Sequence, residues 1–107
     1  MTKITVYCKD STYTGFCIEG HAGYADEGED IVCAGISVLA INFVNSIEQL
    51  TTDEFSQFEH EDDGIIDFEF SDNISSEAEI LMKSLVLGLE QLEKEYKDFI
   101  SLDYKEV

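Results

Sequence analysis

Residues 20–45, GHAGYADEGEDIVCAGISVLAINFVN, decide how the rest of the chain is read. His21 opens a loop that carries Gly23, Gly28 and four acids, Asp26, Glu27, Glu29 and Asp30, and the loop runs into a cysteine at the start of a strongly apolar segment. Asp30 is a good N-cap residue, so Ile31, Val32 and Cys33 become the first three helical positions. There the unpaired backbone N–H groups and the helix dipole favour an anion, and a thiolate at Cys33 would gain from both. A loop rich in glycine can bring His21 beside that sulfur to take its proton, which is what a Cys–His nucleophile requires. A lone cysteine on an apolar helix is more often a core residue. Spacing alone therefore leaves a catalytic and a structural Cys33 both open.

Working outward, the helix is expected from Ile31 to about Leu50. Its apolar residues, among them Val32, Ile36, Val38, Ile41, Val44 and Ile47, cover more than one face, which predicts burial on two sides, against a sheet and against a second helix or a second subunit. Ser37 lies one turn after Cys33 and shares its side of the helix. Its hydroxyl has two equally good uses, beside the thiol or bonded back to the carbonyl one turn earlier. The loop over 22–29 has no apolar period and reads as a lid over a site or as a solvated connector.

Upstream, residues 3–8 alternate with Ile4, Val6 and Cys8 on one face. Asp10-Ser11 supplies a turn, and a second strand over 13–19 puts Phe16 and Ile18 on one face and Tyr13, Gly15 and Cys17 on the other. This strand delivers the chain to Gly20-His21. Downstream, strands are expected over 54–61 and 65–71 around an Asp62-Asp63-Gly64 turn, with Ile66, Phe68 and Phe70 inward. His60 sits among acids, but neighbours in a strand point to opposite faces, so a solvated edge is preferred to a metal site. Ser76-Glu77-Ala78-Glu79 reads as a capping box opening a helix with Leu81, Leu85, Leu89, Leu92 and Tyr96 as its buried stripe, ending near Tyr96. A final strand covers 99–105. The order is ββαββαβ in one domain, 1–107. It predicts an α+β two-layer sandwich, a mixed and mainly antiparallel sheet with two helices on one face.

Composition narrows the partners. The 107 residues carry a formal charge of −18, with six lysines, no arginine and 24 acids. That excludes ordinary binding to nucleic-acid phosphates and disfavours an anionic membrane, leaving a basic macromolecule as the natural complement. The N-terminus shows no signal-peptide pattern, and the longest apolar run, Ile31–Ile41, is shorter than a bilayer span. Three cysteines, Cys8, Cys17 and Cys33, without a CxxC pair argue against a disulfide scaffold or structural zinc, and no metal or cofactor is expected. Free thiols fit a reducing, cytoplasmic compartment.

Gly20-His21, Gly28, Asp30-Ile31-Val32-Cys33-Ala34 and Ser37, in this order and spacing, resemble the signature of the Prp ribosomal-processing cysteine proteases of Firmicutes and related bacteria. The resemblance implies a cysteine endopeptidase that removes the N-terminal extension of a large-subunit ribosomal protein, the twenty-seventh in the usual naming, with His21 and Cys33 catalytic. Gly20, Asp30 and Ser37 are supporting residues on this reading, Asp30 either orienting His21 or only capping the helix, and amides at the helix start are candidates for the oxyanion hole. A homodimer is compatible with the family and with the apolar excess of the first helix. The competing reading is a non-catalytic acidic module that assists assembly of a basic ribosomal protein. It accounts for the charge but not for the His–loop–Cys order.

Overall fold

The computed structural model describes residues 1–20, 30–60 and 64–107. The turn Asp62-Asp63 and the loop from His21 to Glu29 lie outside them. Strands β1 (Thr2–Lys9) and β2 (Thr12–Glu19) form a hairpin, followed by α1 (Ile31–Leu50), β3 (Phe55–His60), β4 (Ile65–Phe70), α2 (Ser76–Glu95) and β5 (Ile100–Glu106). The sheet order is β3-β4-β2-β1-β5. Among the described residues β1 and β5 run parallel, and the other three pairs are antiparallel. The expected ββαββαβ sandwich is the fold found.

Alternation accounts for most of the sheet. Ile4, Val6, Phe16, Ile18 and Phe68 are buried on the side facing the helices. Phe68 sits at the centre of an aromatic cluster, with Phe43 and Phe55 at 4.9 Å between ring centres and Phe70 at 5.0 Å. The hairpin turns through Asp10 and Ser11, both at positive φ (50° and 68°). One expectation fails beside it. Tyr7 pairs with Gly15 but Cys8 pairs with Tyr13, so Thr14 is an extra residue and the period of two is broken. Tyr13 thereby moves to the side of Cys8, where it packs against the core, instead of sharing the face of Cys17.

The helices also differ from their sequence reading. Residues Val32, Ile36, Ala40, Phe43, Val44 and Ile47 of α1 are buried, whereas Ile31, Val38, Ile41 and Leu50 stand more than half exposed. The helix thus buries one broad stripe, not two full sides. Among the described residues α1 is long and apolar enough by length and composition to cross a membrane, because it continues past Ile41 to Leu50. Length therefore does not exclude a span; what α1 does in this fold is pack. A Cβ on Gly88 would stand 3.1 Å from Leu39 Cδ1, so the missing side chain of Gly88 sets the closeness of the two helices there, whereas a Cβ on Gly35 would meet Leu92 at an ordinary 3.6 Å. The cap of α2 is Ser75, one residue before the expected box, its Oγ accepting from the Ala78 amide at 3.1 Å. The start shifts because Ser75 is itself held by Asp53, which accepts from its amide at 2.8 Å and its hydroxyl at 2.6 Å. The buried stripe shifts with it, to Ala78, Met82, Leu85, Val86 and Leu89.

Candidate active site

Asp30 builds the start of α1 as the sequence requires. Its Oδ1 accepts hydrogen bonds from Val32 N at 2.9 Å and Cys33 N at 3.0 Å, and its carbonyl accepts from Ala34 N at 3.0 Å. Asp30 is 7% exposed, one of two buried polar residues among those described. Cys33 is the third residue of the helix and half-buried. The first turn contains no acid of its own, and among the described residues the Asp30 carboxylate is the charge that meets the positive end of the helix.

The same bonds bear on the expected oxyanion hole. The amides of Val32 and Cys33 are spent on Asp30, and that of Ala34 on the helix, so in this conformation they are not donors for an oxyanion.

A cleft of about 260 Å³ opens at one end of the sheet, where β1 and β4 begin and β2 and β3 finish, beside the first two turns of α1. Cys33, Ile36 and Ser37 line it from the helix, Thr2, Ile18 and Gly20 from the central strands, and Glu59, His60 and Gly64 to Ile66 from the β3–β4 hairpin. The structure thus brings Cys33, Ser37 and Gly20 together. Asp30 joins them through the Cys33 amide, and His21 follows Gly20 directly but lies outside the described residues. Among the described residues, Ser37 does not form the back-bond to the carbonyl one turn earlier that Thr51 makes to Ile47 at 2.8 Å.

Gly20 has two reasons to be glycine. Its φ is +87°, and a Cβ there would come within 2.9 Å of the Met1 carbonyl oxygen. This close approach lets the end of β2 run beside the start of β1 immediately before the histidine.

The other thiols differ in setting. Burial pushes the Cys17 thiol above its ordinary value, with Asp67 and Glu19 adding to the effect. Burial, then Glu106, does the same at Cys8. Both are therefore disfavoured as thiolates. Neither lines the cleft.

Three polar cleft residues, Thr2, Glu59 and His60, escaped the sequence reading. His60 is on an exposed edge strand as expected, stacked on Phe58 at 6.4 Å, yet it also rims the cleft. The strand ends at the cleft mouth, so Glu59 and His60 both reach it despite opposite pleat directions. Thr2 was missed too, although it has the parity of Ile4 and Val6 and so had to face the helix side.

A helix-start thiol opening on a cleft is the layout of thiol hydrolases, and a family model described as "Cysteine protease Prp" matches residues 1–101, which sets the class as cysteine protease. The chain belongs to the Prp family. It is similar to the ribosomal processing cysteine protease Prp of Bacillus subtilis, with 33% identity over 93 residues covering 83% of each chain. It also resembles an essential ribosomal processing protease Prp from Staphylococcus aureus solved with a covalently linked product peptide, at a TM-score of 0.93 and 29% identity, covering 98% of this chain and all of that one. The same protease solved with a substrate peptide gives a TM-score of 0.88, 28% identity and the same coverage.

Proposed function

We propose that this cysteine protease trims the N-terminal extension from the precursor of a basic large-subunit ribosomal protein, with Cys33 as nucleophile and His21 as its base. The observation that carries the residue assignment is Cys33 itself: of the three thiols it alone stands at a helix start and faces the cleft. The substrate rests on the relatives, named as ribosomal processing proteases and solved with peptides.

On this reading the Cys33 sulfur, its proton passed to His21, adds to the scissile carbonyl. Collapse of the tetrahedral species breaks the C–N bond, His21 returns the proton to the departing amine, and a thioester joins the N-terminal fragment to Cys33. Water activated by the same imidazole then releases the acid. Asp30 holds the helix end that carries the sulfur.

The charge of −18 recruits a Lys- and Arg-rich precursor, an effect that weakens as salt rises. A shallow apolar groove lined by Gly35, Val38, Leu39, Gly88 and Leu92, with Ile41 and Leu87 exposed nearby, supports a homodimer. The setting we propose is the bacterial cytoplasm.

The test is incubation of the protein with a large-subunit ribosomal precursor and, separately, with its mature form. A single shortened product from the precursor, by mass, supports the proposal. An intact precursor, bound or not, favours the acidic binding module instead.

A further inference from the structure

One residue lining the cleft carries a buried polar atom that the fold leaves unused. Thr2 is 2% exposed, and its Oγ1 is the buried side-chain oxygen that has no hydrogen-bond partner among the described residues. Its backbone is fully engaged, since Thr2 N donates to Phe99 O at 2.9 Å and the residue pairs with Ile100 in the parallel ladder. The side chain lies on the helix-facing side of β1 with Ile4 and Val6, which are wholly buried. A valine would serve every one of these packing needs. An unpaired buried hydroxyl is instead destabilising, and native structures hold few of them.

Its position says what it is kept for. Thr2 lines the same cleft as Cys33 and Ser37. Gly20, whose absent side chain lets the chain pass the Met1 carbonyl, stands with its ideal Cβ position 4.0 Å from Thr2 Cα, directly before His21. Thr2 thus stands beside Gly20 and shares a cleft with Cys33. The amides of Val32 and Cys33 are committed to Asp30, so a peptide in the cleft has to find donors other than these two.

We infer that Thr2 is a substrate-binding residue whose hydroxyl hydrogen-bonds the main chain of the peptide held in the cleft, and so fixes its position relative to Cys33. The inference rests on the proteolytic reading of that cleft. An O–H can donate to a peptide carbonyl or accept from a peptide N–H, so the contact reads backbone and not side-chain identity. Thr2 acts on binding and takes no part in proton transfer.

The experiment compares Thr2→Val and Thr2→Ser with wild type on the ribosomal precursor and measures thermal unfolding of all three. Thr2→Val keeps the shape and the β-branch while removing the hydroxyl. It is expected to lower kcat/KM about five- to tenfold through KM, and to unfold at the wild-type temperature or several degrees above it. Thr2→Ser is expected to retain kcat/KM within about twofold. A purely structural hydroxyl would show the reverse, with stability falling and kcat/KM preserved. Wild-type kinetics in Thr2→Val, or a loss shared by Thr2→Ser, overturns the inference while leaving the protease assignment standing. A wild type that cleaves nothing overturns both.

Discussion

Replacing Asp30 tests how the reactive end of α1 is made. The Asp30→Ala variant loses two hydrogen bonds from the Val32 and Cys33 amides, at 2.9 and 3.0 Å, in a site only 7% exposed. Loss of an N-cap typically costs about 0.5–2 kcal/mol. Here one carboxylate oxygen serves two amides, the bonds are charge-assisted and the released donors stay partly buried, so the upper part of that range applies, about 2 kcal/mol. For a domain of this size each kcal/mol moves the midpoint by about 4–8 °C, so Asp30→Ala should melt roughly 10 °C or more below wild type. Asp30→Asn should recover most of the loss, because asparagine caps nearly as well and differs only in charge. Circular dichroism at 222 nm gives both midpoints. A midpoint for Asp30→Ala within about 1 °C of wild type would refute the capping account. Activity then separates the two roles left open for Asp30: as a cap alone, Asp30→Asn keeps cleavage within a few-fold, whereas an orienting partner of His21 loses far more.

Three other outcomes follow from the packing and the charges. A Cβ at Gly15 would stand 2.2 Å from the Phe68 carbonyl oxygen, a backbone atom that cannot step aside, so Gly15→Ala should cost more than about 3 kcal/mol and shift the melting midpoint by well over 10 °C. Hydrogen bonds from Ser75 hold the Asp53 carboxyl below its ordinary value. Their stabilisation is fully present above the unfolded value of about 3.9 and disappears as pH falls through the lower folded value. The melting midpoint of Asp53→Asn should thus lie a few degrees below wild type at pH 7 and converge with it in acid, and a constant difference would contradict the assignment. If the α1–α2 groove joins two copies, Val38→Glu should sediment as a monomer at micromolar concentration while wild type sediments as a dimer; a wild-type monomer would refute the dimer.

How much of this was legible in the sequence depended on whether a feature was local. The start of α1 was readable because an N-cap is a local device: Asp30 needs only the two amides that follow it. The strands were readable from alternation, up to the point where Thr14 interrupts the period and carries Tyr13 to the other face. The start of α2 moved by one residue because Asp53, 22 positions earlier, selects Ser75 as the cap, and no pattern within residues 75–79 reveals that. The cleft was less legible. Cys33, Ser37 and Gly20 came from one continuous stretch, but Thr2, Glu59 and His60 reach the same space through the strand order β3-β4-β2-β1-β5. The parity of Thr2 was available, whereas its lack of a partner emerges only once the strands are assembled.

The central claim is that one thiol of three does the chemistry, and single replacements test it most directly. Cleavage of the ribosomal precursor is followed by intact mass for Cys33→Ala, Cys8→Ala and Cys17→Ala, each first shown to unfold cooperatively. The account predicts no shortened product with Cys33→Ala and wild-type processing, within about threefold, with the other two, whose thiols lie outside the cleft. Processing by Cys33→Ala at the wild-type rate would contradict it.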